Sequence, residues 1–381
     1  MHAQKRYAAR GERAQEGTDM TTIWDPIRVG RITLPHRLAM APMTRNRAQP
    51  DGTPGSLAAE YYAQRASLGL LISEAAQPSD DGQGYLLTPG IYTDRHVAGW
   101  RRVTDAVHRA GARLFIQLMH VGRVSHPDNT PHHRQALAPS AVATGEKIYT
   151  ARGPMEAPVP RALSIEEIRG TIGDFAHAAA RAIEAGADGV EIHGANGYLL
   201  QQFLSKNANL RTDAYGGPIE NRARFVIETA AAVAEAIGPD RTGIRLSPGS
   251  TFNNIDEGED YEPLYRHLVG ELAKLDLAYV HVVHGGNEGL VRDIRRLWPN
   301  ALLLNRGGRP LEKIGADVEA GLADVATIGR WALANPDFVE RYAAAAPLNE
   351  PDPATFYGGD ARGYTDYPRL ADGARAAAAA R

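Results

Sequence analysis

Within the run Gly189-Val190-Glu191-Ile192-His193-Gly194-Ala195-Asn196-Gly197-Tyr198, an apolar strand pattern opens into a turn carrying a histidine, an asparagine and a tyrosine. His193 and Asn196 have N–H groups that can donate to a carbonyl oxygen, and Tyr198 has a phenolic proton to give. Together they suit polarisation of a carbonyl compound and protonation of a carbon beside it. By itself the run also reads as a strand end where His193 satisfies local backbone and Tyr198 packs over the start of a helix.

Other polar residues sit at similar strand ends. Asn305-Arg306-Gly307-Gly308 offers backbone amides, and Ile328-Gly329-Arg330 adds an amide and a guanidinium, a combination suited to a phosphate. Gln117 and Arg245 can face a polar heterocycle, the amide pairing with an imide edge and the guanidinium stabilising negative charge. The competing reading for Arg245 is an ion pair with Glu191. The chain contains no cysteine, which excludes disulfides, thiolate nucleophiles and Cys-ligated metal centres, so redox chemistry requires a cofactor. His281 and His284 point to opposite faces of one strand and His132-His133 lies in a polar loop, so no metal site is expected.

The elements that must position these groups follow from periodicity. Apolar runs recur at Leu38–Ala41, Leu70–Ser73, Leu114–Leu118, Val190–His193, Gly243–Leu246, Tyr279–Val283, Leu302–Asn305 and Val325–Gly329, separated by helix-like segments. Ser164-Ile165-Glu166-Glu167 is a capping box, and Gly111, Gly186, Gly238 and Gly321 close helices just before strands. Alternation of this kind predicts an α/β fold, a (β/α)8 TIM barrel. A doubly wound sheet is the alternative, weakened by the lack of Gly-x-Gly-x-x-Gly after any early strand. Ile27 to Leu34 reads as an N-terminal β-hairpin able to close the barrel's N-terminal mouth, and the Pro- and Gly-rich Gly122–Leu163, after the third strand, reads as a long lid loop.

Residues 1–19 are expected to be a disordered extension, 20–370 a single barrel domain, and 371–381 an Ala-rich tail. The formal charge of −3, from 42 basic and 45 acidic residues, leaves no footprint for nucleic acid or membrane. A small-molecule partner is the default. No signal peptide or membrane span is evident, so a cytoplasmic protein is expected, as monomer or homodimer.

The chain resembles the Old Yellow Enzymes, FMN-dependent ene-reductases built on a (β/α)8 barrel. The similarity runs from about Trp24 to Leu370 and rests on Leu38-Ala39-Met40-Ala41-Pro42-Met43-Thr44-Arg45, His193-Gly194-Ala195-Asn196-Gly197-Tyr198, Arg211-Thr212-Asp213-Ala214-Tyr215-Gly216-Gly217 with Glu220-Asn221-Arg222, and Gly363-Tyr364-Thr365-Asp366-Tyr367-Pro368. It implies tightly bound, non-covalent FMN held by Pro42, Met43, Thr44, Ala75, Gln117 and Arg245, with Gly307, Gly308, Gly329 and Arg330 at its phosphate. It implies catalytic roles for His193 and Asn196 on the substrate's activating oxygen and for Tyr198 as proton donor, with Tyr85 and Tyr364 lining the substrate pocket. Thr44 places the chain in the family's threonine branch. Met119 stands where many members carry tryptophan, so a roomier, more deformable pocket is expected.

The reaction implied is hydride transfer from NAD(P)H, a transient partner, through flavin to the β-carbon of an α,β-unsaturated carbonyl or nitro compound, Tyr198 protonating the α-carbon. Two other readings fit the same residues: a flavin-dependent tailoring isomerase or desaturase, and a non-redox barrel that binds a phosphate-bearing ligand.

Overall fold

The computed structural model describes residues 20–372, so the extension 1–19 and most of the tail 371–381 lie outside the described residues. The chain enters through a hairpin, β1 (Ile27–Val29) and β2 (Ile32–Leu34), paired antiparallel. The elements β3 (Leu38–Met40), α1 (Ala58–Gln64), β4 (Leu70–Ala76), α2 (Asp94–Arg109) and β5 (Arg113–Leu118) follow. After the lid come α3 (Ile165–Glu184), β10 (Gly189–Gly194), α4 (Leu199–Leu204), α5 (Ile219–Ile237), β11 (Thr242–Leu246), α6 (Tyr261–Ala273) and β12 (Tyr279–Val283). The last turns of the barrel are α7 (Glu288–Leu297), β13 (Ala301–Asn305), α8 (Ala316–Glu319), β14 (Val325–Ile328), α9 (Arg330–Ala334) and α10 (Phe338–Ala343).

Eight parallel strands, β3, β4, β5 and β10 to β14, close into a barrel through the β14–β3 pair. They are the eight runs expected from sequence. Alternation along the strands separates two cores: Ala39, Leu70, Ile72, Phe115, Tyr279, Leu303 and Val325 fill the interior, while Leu38, Met40, Leu71, Leu114 and Ile116 face the helices. Val29, Ile32 and Leu34 of the hairpin join the interior cluster, so the hairpin plugs the N-terminal mouth. The capping box forms at Ser164 and Glu167, and Gly111, Gly186, Gly238 and Gly321 all adopt positive φ. Among the described residues no helix is long and apolar enough to cross a membrane.

The segment Gly122–Leu163 differs from the open loop expected of its composition. It carries β6 (Leu137–Ala138), β7 (Lys147–Thr150), β8 (Gly153–Glu156) and β9 (Arg161–Ala162), with β7 and β8 an antiparallel hairpin and β6 and β9 a short parallel pair. Strand pairing here satisfies backbone groups that a bare loop would leave to water.

Glycine at 243 is required by packing inside the barrel. Gly243 lies between Glu191 on one side and Tyr279 on the other, and a Cβ there would sit 2.2 Å from the Tyr279 ring. Gly243→Ala should push that ring away and cost about 1–3 kcal/mol, the usual penalty for overpacking a core. Denaturant unfolding of both proteins measures the difference; equal midpoints would mean the ring moves freely.

Candidate active site

The site is built on two adjacent interior levels of the barrel. Ala75, Gln117 and Glu191 are register partners on β4, β5 and β10, and two residues further along His193, Arg245 and His281 are partners on β10, β11 and β12. Glu191 is wholly buried and accepts from Gln117 Nε2 at 2.7 Å, His281 Nδ1 at 2.8 Å and the Tyr279 hydroxyl at 3.0 Å. Burial pushes its pKa up, but the nearby His281 and Arg245 and the hydrogen bonds from His281 and Gln117 outweigh this and hold it below the ordinary value. The carboxyl is therefore charged at neutral pH.

Arg245 forms no ion pair with Glu191. Its Nη2 reaches Asn305 Oδ1 at 3.5 Å, and its buried Nε has no protein partner. His193 Nδ1 is likewise buried and unpartnered, and burial, with Arg245 and His281 nearby, holds the imidazole pKa well below its usual range. His193 is thus a neutral ring at physiological pH, able to donate one N–H.

The turn after β10 is fixed by backbone contacts. Asn196 adopts φ +56°; its N–H donates to Ser247 Oγ at 2.8 Å and its carbonyl accepts from Asn253 Nδ2 at 2.8 Å. These bonds use the Asn196 backbone and leave its carboxamide for another partner. Gly197 follows at φ +75°, where a Cβ would meet the Phe252 carbonyl oxygen at 2.4 Å, so the β11–α6 loop docks directly on the turn. Tyr198 then sits with its ring 5.1 Å from that of His193 and its hydroxyl 3.0 Å from the Tyr85 hydroxyl.

Tyr85 and Tyr198 belong to an apolar cluster with Ala75, Met119, Val121, Val124 and, from the lid, Ile148 and Ala157. Burial raises the pKa of both phenols, while the Asn253 side chain, whose Nδ2 donates to the Asn196 carbonyl, pulls them back. Tyr357 acts electrostatically on both hydroxyls too. Sequence reasoning passed over Asn253 and Tyr357. Their signals are weak but real: Asn253-Asn254 is a pair suited to left-handed backbone, which both adopt, and Tyr357 is an aromatic residue beside the flexible Gly358-Gly359.

Tyr364, expected in the pocket, is elsewhere. Its ring is 1 % exposed and stacks on Tyr61 at 4.2 Å, with the guanidinium of Arg47 at 4.6 Å. Tyr357, earlier on the same Gly-rich stretch, is by contrast exposed. At the phosphate-suited loops, Gly307 and Gly308 would meet nothing within 4 Å if given a Cβ, and Gly329 only Met43 Sδ at 3.9 Å, so backbone is open to a ligand. Arg306 is bound by Glu288 and Asp317, whereas Arg330 is exposed and forms no ion pair among the described residues. Pro42 is buried, and Met43 and Thr44 are half-buried, on the loop leaving β3.

Residues 22–349 match the NADH:flavin oxidoreductase / NADH oxidase family. The chain belongs to this family, the Old Yellow Enzymes. It is 43 % identical over 352 residues to a probable flavin mononucleotide-dependent alkene reductase of Leishmania infantum, covering 90 % of this chain and 96 % of that protein. The solved structure of morphinone reductase superposes with a TM-score of 0.89 at 43 % identity, covering 94 % and 99 % of the two chains. The Old Yellow Enzyme homologue of Zymomonas mobilis gives 0.88 at 38 % identity over 92 % and 100 %. The protein is therefore an enzyme of an FMN-dependent oxidoreductase family.

In this Old Yellow Enzyme, Glu191→Ala should strand the Gln117, Tyr279 and His281 donors in the barrel and cost about 3–5 kcal/mol. Glu191→Gln, which keeps one acceptor oxygen, should cost less. Thermal unfolding of the two variants separates them; an Ala variant as stable as wild type would show the network to be dispensable.

Proposed function

We propose that the protein is an ene-reductase that uses FMN and NAD(P)H to reduce alkenes conjugated to a carbonyl or nitro group. The observation that carries this reading is a pair of buried nitrogens with no protein partner, His193 Nδ1 and the Arg245 Nε–H, together with the hydroxyl pair Tyr85–Tyr198. A buried unpaired donor costs free energy unless a ligand completes it. The alkene reductase and morphinone reductase among its relatives point to the same class of substrate.

The residues fit FMN. Gln117 and Arg245 would take its pyrimidine edge, Pro42, Met43, Thr44 and Ala75 its ring, and Gly307, Gly308, Gly329 and Arg330 its phosphate. The chemistry the flavin supplies when bound is hydride transfer, from NAD(P)H to the β-carbon of the activated alkene.

The protein's own groups do the rest. Arg245, charged at any working pH, stabilises negative charge at the pyrimidine edge. Neutral His193 and the free Asn196 carboxamide donate to the substrate oxygen and draw electron density from the alkene, as an oxyanion hole does. Burial keeps Tyr198 protonated at neutral pH, and the hydrogen bond with Tyr85, the Asn253 side chain and the charge of Arg245 limit the rise, leaving an acid able to protonate the α-carbon. Tyr198 as donor favours net reduction over isomerisation, because a hydride accepted without a proton is returned.

Anaerobic titration of purified protein with NADPH, then cyclohexenone, tests the reading. The flavin band should bleach and then return. Protein that takes up no FMN even on reconstitution would overturn it. Tyr198→Phe should slow reoxidation by the enone while leaving reduction by NADPH close to wild type. His193→Ala or Asn196→Ala should lower the rate of reoxidation by about 100-fold, roughly 3 kcal/mol. Equal slowing of both half-reactions by Tyr198→Phe would refute its role as acid.

A further inference from the structure

We propose that Glu74 and Arg45 form a buried clamp that holds two walls of the pocket as one unit, the loop Pro42–Arg45 on the flavin side and the segment 355–364 on the substrate side. The proposal rests on the reading of the pocket given above.

The clamp begins with an irregularity in β4. Its pairing with β5 runs Ile72 to Phe115 and then Ala75 to Gln117, so Ser73 and Glu74 together oppose the single residue Ile116. Such bulges re-aim a side chain. Here the Ser73 hydroxyl donates to the Glu74 carbonyl at 2.7 Å and accepts from the Gln117 N–H at 3.2 Å, and the Glu74 side chain faces the 45–46 loop. Glu74 Oε2 accepts from the Arg45 backbone N–H at 3.0 Å, one residue after Thr44, while Glu74 itself lies one residue before Ala75.

A buried carboxylate and a buried guanidinium this close would ordinarily pair with each other. They do not. Glu74 forms no ion pair among the described residues, although it is 5 % exposed and Arg45 0 %. The Arg45 guanidinium instead donates to the carbonyls of Phe356 at 3.0 Å, Thr355 at 3.2 Å and Gly363 at 2.8 Å. The Arg45 carbonyl accepts from the Gly358 N–H at 2.9 Å. Both neighbours of Tyr357 are thereby gripped by one residue. Arg47 reinforces the grip through the carbonyls of Thr355, Asp360 and Arg362. Each charged group thus spends itself on backbone, the use expected of a positioning device.

The groups facing Glu74 are Arg45 and Arg47 from the loop, Tyr62 from α1 and Tyr364 from the C-terminal segment. Burial pushes the Glu74 carboxyl up to about 7, against the pull of the Arg45 and Asn46 amides and the two guanidinium groups. For a carboxyl raised in the fold, its contribution to stability is full below the unfolded value and is lost as pH rises through the folded one. Its grip on the amides runs the other way, because the charged form is the better acceptor.

The test compares Glu74→Gln and Arg45→Lys with wild type in three measurements. FMN affinity, followed by flavin fluorescence from pH 6 to 8, should tighten more with rising pH in wild type than in Glu74→Gln, by about threefold to tenfold; taking the difference cancels the ionisation of the FMN phosphate. Chymotryptic cleavage in the segment containing Phe356 and Tyr357 should accelerate about tenfold in Arg45→Lys, which lacks the guanidinium fork. The KM for cyclohexenone should rise several-fold in Arg45→Lys with kcat changed by less than twofold. Parallel pH profiles for wild type and Glu74→Gln, or cleavage and KM unchanged in Arg45→Lys, would overturn the clamp. Binding and cleavage need no turnover, so they judge the clamp even if wild type fails to reduce the enone, the outcome that would sink the proposed reaction instead.

Discussion

A carboxylate with no exposed surface stands inside this barrel, and much of the site is arranged to satisfy it. Removing Glu191 from water costs several kcal/mol unless its lone pairs are filled. Gln117, Tyr279 and His281 fill them from β5 and β12, and Arg245 on β11 adds charge without contact. A charged carboxylate only accepts, so Gln117 must turn its NH2 toward Glu191 and its carbonyl oxygen away. Arg245, displaced from the carboxylate by these nearer donors, keeps a guanidinium N–H for a ligand. The orientation of the two residues assigned to the flavin's pyrimidine edge thus follows from one buried charge, and Gly243 is the space that lets Tyr279 reach it.

The barrel was legible because parallel strands buried on both faces read as continuous apolar runs. Helix ends were legible too, since Ser164, Glu167 and the positive-φ glycines act through local backbone geometry. What composition obscured was irregularity. The run Leu70–Ser73 reads as ended by a polar pair, yet β4 continues to Ala76 because the bulge absorbs Ser73 and Glu74. The lid reads as loop, yet Lys147–Thr150 pairs with Gly153–Glu156 across a tight turn at Ala151-Arg152 that Gly153 leaves at φ +98°. Four-residue strands are too short to leave a period that sequence alone can resolve.

The same division runs through the site. His193, Asn196, Tyr198, Gln117 and Arg245 were legible as polar residues in apolar surroundings at strand ends. Asn253 and Tyr357 were not, because tertiary hydrogen bonds place them. Tyr357 and Tyr364 share one Gly-rich stretch, and no motif chooses between them. Gly363 does: at φ +63°, with room for no Cβ beside Thr355 Oγ1 at 1.8 Å, it makes a tight return that buries Tyr364 against Tyr61. Tyr357, outside that return, is left 69 % exposed.

Chemistry and scope therefore belong to different parts of the chain. The groups that would polarise a substrate and hold the flavin's pyrimidine lie on or beside barrel strands, where register and a buried charge fix them. Those that would sense substrate shape, Tyr85, Met119, Tyr357 and the lid residues Ile148 and Ala157, lie outside the barrel strands. A barrel strand cannot shift without breaking two ladders, whereas a loop can change with little cost to its neighbours. Under the proposed reaction, Met119, an unbranched side chain clustered with the lid residues Ile148 and Ala157, would be the point where the scope of this chain is most readily set.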